Sequence, residues 1–360
     1  MILKQQECAD WNGILTDEKR RTFLTGGAAF ALLHPARRPA SAYASDPSAP
    51  ALPIIDAHIH LFDPTRPGGV PWPDPSDTVV YKPALPPRFK SLAAPLGVVG
   101  AIAVECSPWV EDNDWLLRAA ASDPIIVGVI GNLDPAGPGF PRQLERLAAN
   151  PIFRGIRYGN LWDRNLGAQL NNPGFIANLT RLSASGLLLE SANPNPVLIA
   201  DILKLTDKVP ELRIVIDHLP QAVPPVEPAA RKAYQRDLQE LGRRSNVFVK
   251  GSEVLRRVGD KVPADLDFYR PWLDEIWDIF GEDRLLYGSD WPNSDHVAPY
   301  ADTFDIIRQY VTRRGPRASA KFFWNNSIIV YRWHQRSAAR LSNICLDDSD
   351  FGWSSALALH

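Results

Sequence analysis

Eight short apolar runs recur along the chain, at 54–61, 97–106, 124–134, 153–160, 186–192, 213–219, 247–253 and 284–292. Helix-like stretches lie between most of them, among them 141–149, 196–205, 229–244 and 269–280. Buried strands alternating with helices read as repeated strand–helix–strand units on a parallel sheet. Eight such units predict an α/β architecture, a closed (β/α)8 TIM barrel forming a single domain. An open doubly wound sheet is the competing arrangement, but no G-x-G-x-x-G follows the first run.

The first run reads Ile54-Ile55-Asp56-Ala57-His58-Ile59-His60-Leu61. Positions i and i+2 of a strand share a face, so His58 and His60 aim into one space, with Asp56 below them. Burying three ionisable groups in one strand is costly without a use for them. Two converging imidazoles start a metal site or a polar catalytic centre. The other runs also end in polar residues: Glu105-Cys106, Arg157-Tyr158-Gly159-Asn160, Glu190-Ser191, Asp217-His218, Lys250 with Glu253, and Ser289-Asp290. Chemistry in such a barrel sits at the C-terminal strand ends. Ring closure puts the eighth strand beside the first, so Asp290 meets His58 across most of the sequence.

H-x-H on the first strand, Asp217-His218 on the sixth and Gly288-Ser289-Asp290-Trp291-Pro292 on the eighth resemble the amidohydrolase superfamily. More narrowly, the chain resembles the amidohydrolase-2 branch, which includes sugar-acid and pyrone-dicarboxylate lactonases. Phe153-Arg154-Gly155-Ile156-Arg157-Tyr158 and Asn246-Val247-Phe248-Val249-Lys250-Gly251-Ser252 resemble that branch's fourth and seventh strands. The likeness spans about 54–335.

That resemblance implies a hydrolase that opens a lactone of a sugar acid or an aromatic-derived carboxylate. Asp290 would take a proton from the attacking water, and His218 would orient the water or support the oxyanion. Arg157, Lys250, Trp72 and Tyr158 are the candidate substrate-binding residues. Many members of the superfamily carry a metal-bridging lysine on strand 4 and a histidine ligand on strand 5. Here those strands offer Arg157 and Glu190, which argues against a two-metal centre. One divalent ion, zinc or manganese, on His58, His60, Asp290 and Glu190 is the expectation. The branch also includes metal-independent members, and in a metal-free site His58 and His60 would polarise the carbonyl themselves. Glu190 has an alternative as the ion-pair partner of Lys250 or Arg157, and Arg157 an alternative as a structural cation. A metal-dependent decarboxylase of an aromatic or unsaturated acid is the rival activity, and a degenerate solute-binding barrel the non-enzyme rival.

Lys19-Arg20-Arg21-Thr22-Phe23-Leu24 precedes an uncharged run at 25–33 and an Ala42-Tyr43-Ala44 site. This layout resembles a cleavable twin-arginine export signal, so residues 1–44 are expected to be a signal peptide and the product periplasmic. The 18 residues before Lys19 make a long head, compatible with a start downstream of Met1. The apolar run is too short for a permanent anchor. Residues 1–44 carry six basic and four acidic residues, leaving 33 basic and 37 acidic in 45–360. So mild a charge gives no footprint for nucleic acid or an anionic membrane. A small-molecule substrate is the expected partner, with monomer and homo-oligomer both open. Cys106 and Cys345 are too few for a disulfide framework.

The catalytic domain is expected at 45–336, with a C-terminal tail at 337–360. Within it, residues 62–95 hold nine prolines and follow the first strand, so they should form a stiff lid over the barrel mouth. Trp72, Tyr81, Trp109 and Trp162 fall in strand-exit loops, where they would line a sugar or ring pocket or pack the lid down. His296, in the loop after Asp290, would touch substrate or stay solvated.

Overall fold

The structure is a computed structural model in which residues 52–336, except residue 193, are described. The signal-like segment 1–44 and the tail 337–360 lie outside the described residues.

All eight expected strands form: β1 (Ile54–His60), β2 (Val98–Val104), β3 (Ile126–Gly131), β4 (Phe153–Arg157), β5 (Leu188–Ser191), β6 (Ile214–Ile216), β7 (Val247–Gly251) and β8 (Leu285–Tyr287). They pair in sequence order, each parallel to the next. The ring closes through the continuation of β8. Asp290 N donates to His58 O at 2.9 Å and His60 N to Trp291 O at 2.7 Å, and Ile59 and Trp291 form a parallel bridge. The TIM-barrel expectation holds. The strands are shorter than the apolar runs because the last residues of each run leave the ladder and enter the mouth.

The helices are α1 (Pro86–Ala93), α2 (Asp112–Ala121), α3 (Phe140–Ala148), α4 (Leu166–Gln169), α5 (Pro173–Ala184), α6 (Pro196–Lys208), α7 (Pro228–Arg243), α8 (Leu266–Phe280), α9 (Tyr300–Arg313), α10 (Pro316–Ala320) and α11 (Asn326–Tyr331). Three of them start alike, with a side-chain cap followed by proline. Asn172 accepts from Gly174 N and Phe175 N, Asn195 from Leu198 N, and Glu227 from Ala229 N and Ala230 N. The cap satisfies free amides, and proline fits the first turn because its missing N–H had no partner there.

Two apolar layers follow. One lies between sheet and helices and includes Ile59, Leu116, Leu179 and Phe304. The other fills the barrel and joins Ile55, Val104, Leu188 and Phe248 to Val330, Tyr331 and Trp333. The end of α11 and the residues after it therefore close the N-terminal mouth of the barrel. The Arg213 guanidinium donates to Val330 O, and Arg336 donates to Ala120 O and Ile126 O at 2.8 and 2.6 Å.

Candidate active site

β1 and the β8 continuation bring three ligand-type atoms together at the barrel mouth. His58 Nε2 lies 3.2 Å from His60 Nε2. Asp290 Oδ1 lies 3.3 Å from the first and 3.1 Å from the second. His218 Nε2 is 3.8 Å from the same oxygen, and its Nδ1 is fixed by Ser252 Oγ at 2.7 Å. All four residues are buried. Burial alone would raise the Asp290 carboxyl, but His218, His60 and His58 hold it well below the usual carboxylate range. Burial and then the Lys250 charge keep His58 neutral, well below its ordinary value.

The backbone is strained at this mouth. His218, Glu253 and Asp290 leave β6, β7 and β8 with φ of 55, 50 and 60°. Non-glycine residues rarely adopt that region, and such outliers persist where the surroundings over-determine them. Gly288 explains the glycine of the G-S-D-W-P motif. A Cβ there would stand 2.9 Å from His58 Cβ and 3.3 Å from Ser252 Cβ. Asp56 sits below the site as expected, but as a brace. Its Oδ1 accepts from His58 N and Ser289 N, and its Oδ2 from Tyr300 OH.

Beneath the histidines lies a buried charged layer. Lys250 Nζ stands 2.8 Å from Glu190 Oε2, 3.0 Å from Asp217 Oδ1 and 3.0 Å from His58 Nδ1. Glu190 Oε1 accepts from Tyr331 OH at 2.6 Å, a hydroxyl reaching up from the bottom plug. Burial raises the Glu190 carboxyl to about 7. Burial would also raise Asp217, yet Lys250 and His58 hold it below its ordinary value.

This layer also fixes where several of the candidate residues stand. Lys250 is fully buried, with Glu190, Asp217 and His58 as its partners. Arg157 Nε donates to Glu105 Oε1 at 2.7 Å, and Nη1 lies 3.8 Å from Asp217. Its alternative as a structural cation describes its place. Tyr158 is buried against Phe175 and under Arg164. Glu190 takes its ion-pair alternative. Among the described residues, no grouping of ligand atoms that could hold a metal includes it. The Trp72 ring lies 5.7 Å from that of His60.

His296 stays partly solvated, its side chain 37% exposed, while its Nε2 meets Asp77 Oδ2 at 2.8 Å and ties the lid to the β8 loop. Glu253 reaches the site from the turn after β7. Asn293 Nδ2 bridges Glu253 Oε1 at 3.0 Å and Asp290 Oδ2 at 2.6 Å. Burial and then the Asp290 charge raise Glu253 well above the usual carboxylate range. The two neighbouring carboxyls are thus pushed in opposite directions, the kind of pairing that separates proton donor from acceptor. Its spacing from Lys250 carried no signal; only the left-handed turn after β7 brings it to Asp290.

The triad of His58, His60 and Asp290 suits a divalent ion. His60 Nδ1 donates to Val104 O at 3.0 Å, which leaves the Nε2 lone pair facing Asp290 Oδ1. Two electron-pair donors 3.1 Å apart need a proton or a cation between them. A tetrahedral ion with ligand bonds of about 2.0–2.1 Å spaces its ligands about 3.4 Å apart, close to the three observed edges. His58 completes the set when its ring proton is on Nδ1, toward Asp217 Oδ1 at 3.6 Å. With Lys250 donating to Nδ1, His58 Nε2 is instead an N–H donor. The two tautomers correspond to a metal-holding and a metal-free centre.

The amidohydrolase family model matches residues 55–333. An L-fucono-1,5-lactonase from Burkholderia ambifaria is 30% identical over 282 residues, covering 77% of this chain and 95% of that protein. An L-fucono-1,5-lactonase from Burkholderia multivorans is 22% identical over 290 residues, covering 76% of this chain and 93% of that protein. Among solved structures, an amidohydrolase from Burkholderia multivorans with bound zinc superposes with a TM-score of 0.67 at 22% identity, over 78% of this chain and all of that one. The barrel, the histidine pair on β1 and the strained aspartate after β8 thus accompany a family match over nearly the whole described length, and the chain belongs to the amidohydrolase family.

Proposed function

We propose that this protein is a lactonase that opens the cyclic ester of a sugar acid. The observation that carries the reading is the convergence of His58, His60 and His218 on Asp290 Oδ1 within 3.8 Å. Its relatives of 30 and 22% identity, both L-fucono-1,5-lactonases, support the substrate class. Asp290 accepts the proton of the attacking water. His218, aimed by Ser252, supports the developing oxyanion. Glu253, held protonated beside Asp290, returns a proton to the departing ring oxygen. Trp72 covers His60 and limits water at the mouth.

His58, His60 and Asp290 would hold a divalent ion, zinc or manganese. When bound, it supplies Lewis-acid polarisation of the carbonyl and lowers the pKa of water, which suits a base as weak as the depressed Asp290.

Purified protein should open sugar-acid lactones without releasing carbon dioxide. Carbon dioxide release without ring opening would replace this reading with a decarboxylase, and no turnover of any lactone would leave a binding barrel. Metal analysis of protein prepared without chelators tests the ligand set: His58→Ala with His60→Ala should lose any ion the native protein retains. We also propose export to the periplasm by the twin-arginine-type segment, a reading supported by the Arg20-Arg21 pair and the Ala42-Tyr43-Ala44 site.

A further inference from the structure

Beside the histidine–aspartate cluster, a cleft opens between the lid and the exits of β2 and β3. Arg66, Trp72, Ser107, Trp109, Trp115 and Asn132 line it, and with the lid down its cavity volume is about 20 Å³, room for a water molecule and not for a ring. Trp72 belongs to both places, since it lines the cleft and packs on His60.

The charges of this cleft are already committed. Arg66 pairs with Asp112 at 2.7 Å and lies over the Trp115 ring at 4.8 Å. Glu105, also on the wall, accepts from Arg157, Trp162 and Ser107 N. The cleft therefore offers no free charge to an ionic group. It offers indole faces, with Trp109 42% exposed, and one unmatched acceptor. Asn132 is 3% exposed. Its backbone exchanges hydrogen bonds with the Asn113 side chain at 2.7 and 2.8 Å. Its amide nitrogen donates to Ser107 O, which sets the orientation of the amide. Asn132 Oδ1 accepts no hydrogen bond from the protein. A buried acceptor in that condition calls for a donor.

We propose that this cleft is the recognition subsite for the part of the substrate remote from the scissile carbonyl, and that it selects an uncharged, hydroxyl-bearing ring. The ring's apolar face lies on Trp72 and Trp109. One hydroxyl donates to Asn132 Oδ1, shielded from competing water. Val70 and Trp72 of the lid line the same cleft, so the lid edge lifts to admit the ring. The inference rests on the lactonase reading and names which lactones that site prefers.

The test compares a polyhydroxylated 1,5-lactone with an unsubstituted six-membered lactone. In Asn132→Leu the ratio of kcat/KM values, hydroxylated over unsubstituted, should fall about tenfold or more, the equivalent of one lost hydrogen bond to a buried partner. Trp109→Ala, at an exposed position that spares the fold, should raise KM for the hydroxylated lactone more than it lowers kcat. An unchanged ratio in both variants would overturn the subsite. Binding of the corresponding hydroxylated lactam to native protein and Asn132→Leu is measured by calorimetry alongside. Weaker binding to the variant supports the cleft even if no lactone turns over, an outcome that would sink the lactonase reading alone. Equal binding to both proteins, or none to either, overturns the cleft.

Discussion

At the scale of single residues, the site works by pushing neighbouring carboxyls in opposite directions. The histidines around Asp290 push its carboxyl below the usual carboxylate range, and burial with the Asp290 charge pushes Glu253 above it. Asp290→Asn keeps the shape and removes the proton acceptor. General-base catalysis is worth ~10²–10⁴-fold, so kcat should drop within that range while the thermal midpoint barely moves. Near-native kcat in that variant would exclude Asp290 as the base.

Glu190 gives a second prediction, about stability. Its carboxyl is raised from 4.5 to about 7 by burial. Between those values the unfolded chain binds fewer protons than the folded one, so stability falls as pH rises. The full effect is present below the lower value and lost above the upper one, and amounts to about 3 kcal/mol. Glu190→Gln should flatten that slope in urea denaturation compared at about pH 5 and about pH 7. An unaltered slope would assign the titration to another group. Lys250 is less forgiving. Removing it leaves Glu190 and Asp217 facing each other, and breaking a buried pair on one side costs about 3–5 kcal/mol.

At the scale of elements, β8 and its continuation carry the most information per residue. Gly288 leaves room for His58, Ser289 Oγ caps Trp291 N at 3.0 Å, and Asp290 faces the cluster. In Gly288→Ala the new methyl meets two Cβ atoms anchored to backbone, which cannot swing away. Overpacking of this kind costs about 1–3 kcal/mol, and displacement of His58 should lower kcat further. A variant with native kcat would show that His58 has slack.

The same contrast explains what the sequence revealed. Strand positions and the convergence of His58, His60 and Asp290 were legible because period-two alternation and ring closure are geometric rules. The fates of Arg157, Lys250 and Tyr158 were not. A cation at a strand end reads alike whether it meets substrate or a buried carboxylate, and Glu105, Glu190 and Asp217 become its neighbours only when the barrel closes. Tyr331 carried no signal either, since nothing local says that a residue after the last strand re-enters the barrel.

At the scale of the whole molecule, the proposed export makes a prediction of its own. Arg20→Lys with Arg21→Lys should retain the protein in the cytoplasm, because the twin-arginine route reads the guanidinium pair and not charge alone. Unchanged periplasmic protein on fractionation would remove that reading. The bottom plug adds a constraint of timing. Tyr331, Val330 and Trp333 follow every strand in the chain, yet Tyr331 supplies a hydrogen bond to the charged layer that holds His58 in place. A ribosome that has made all eight strands has still not made the residue that satisfies Glu190. The floor of the barrel is therefore built from chain that follows all eight strands, and the charged centre gains its Tyr331 hydrogen bond last in order of synthesis.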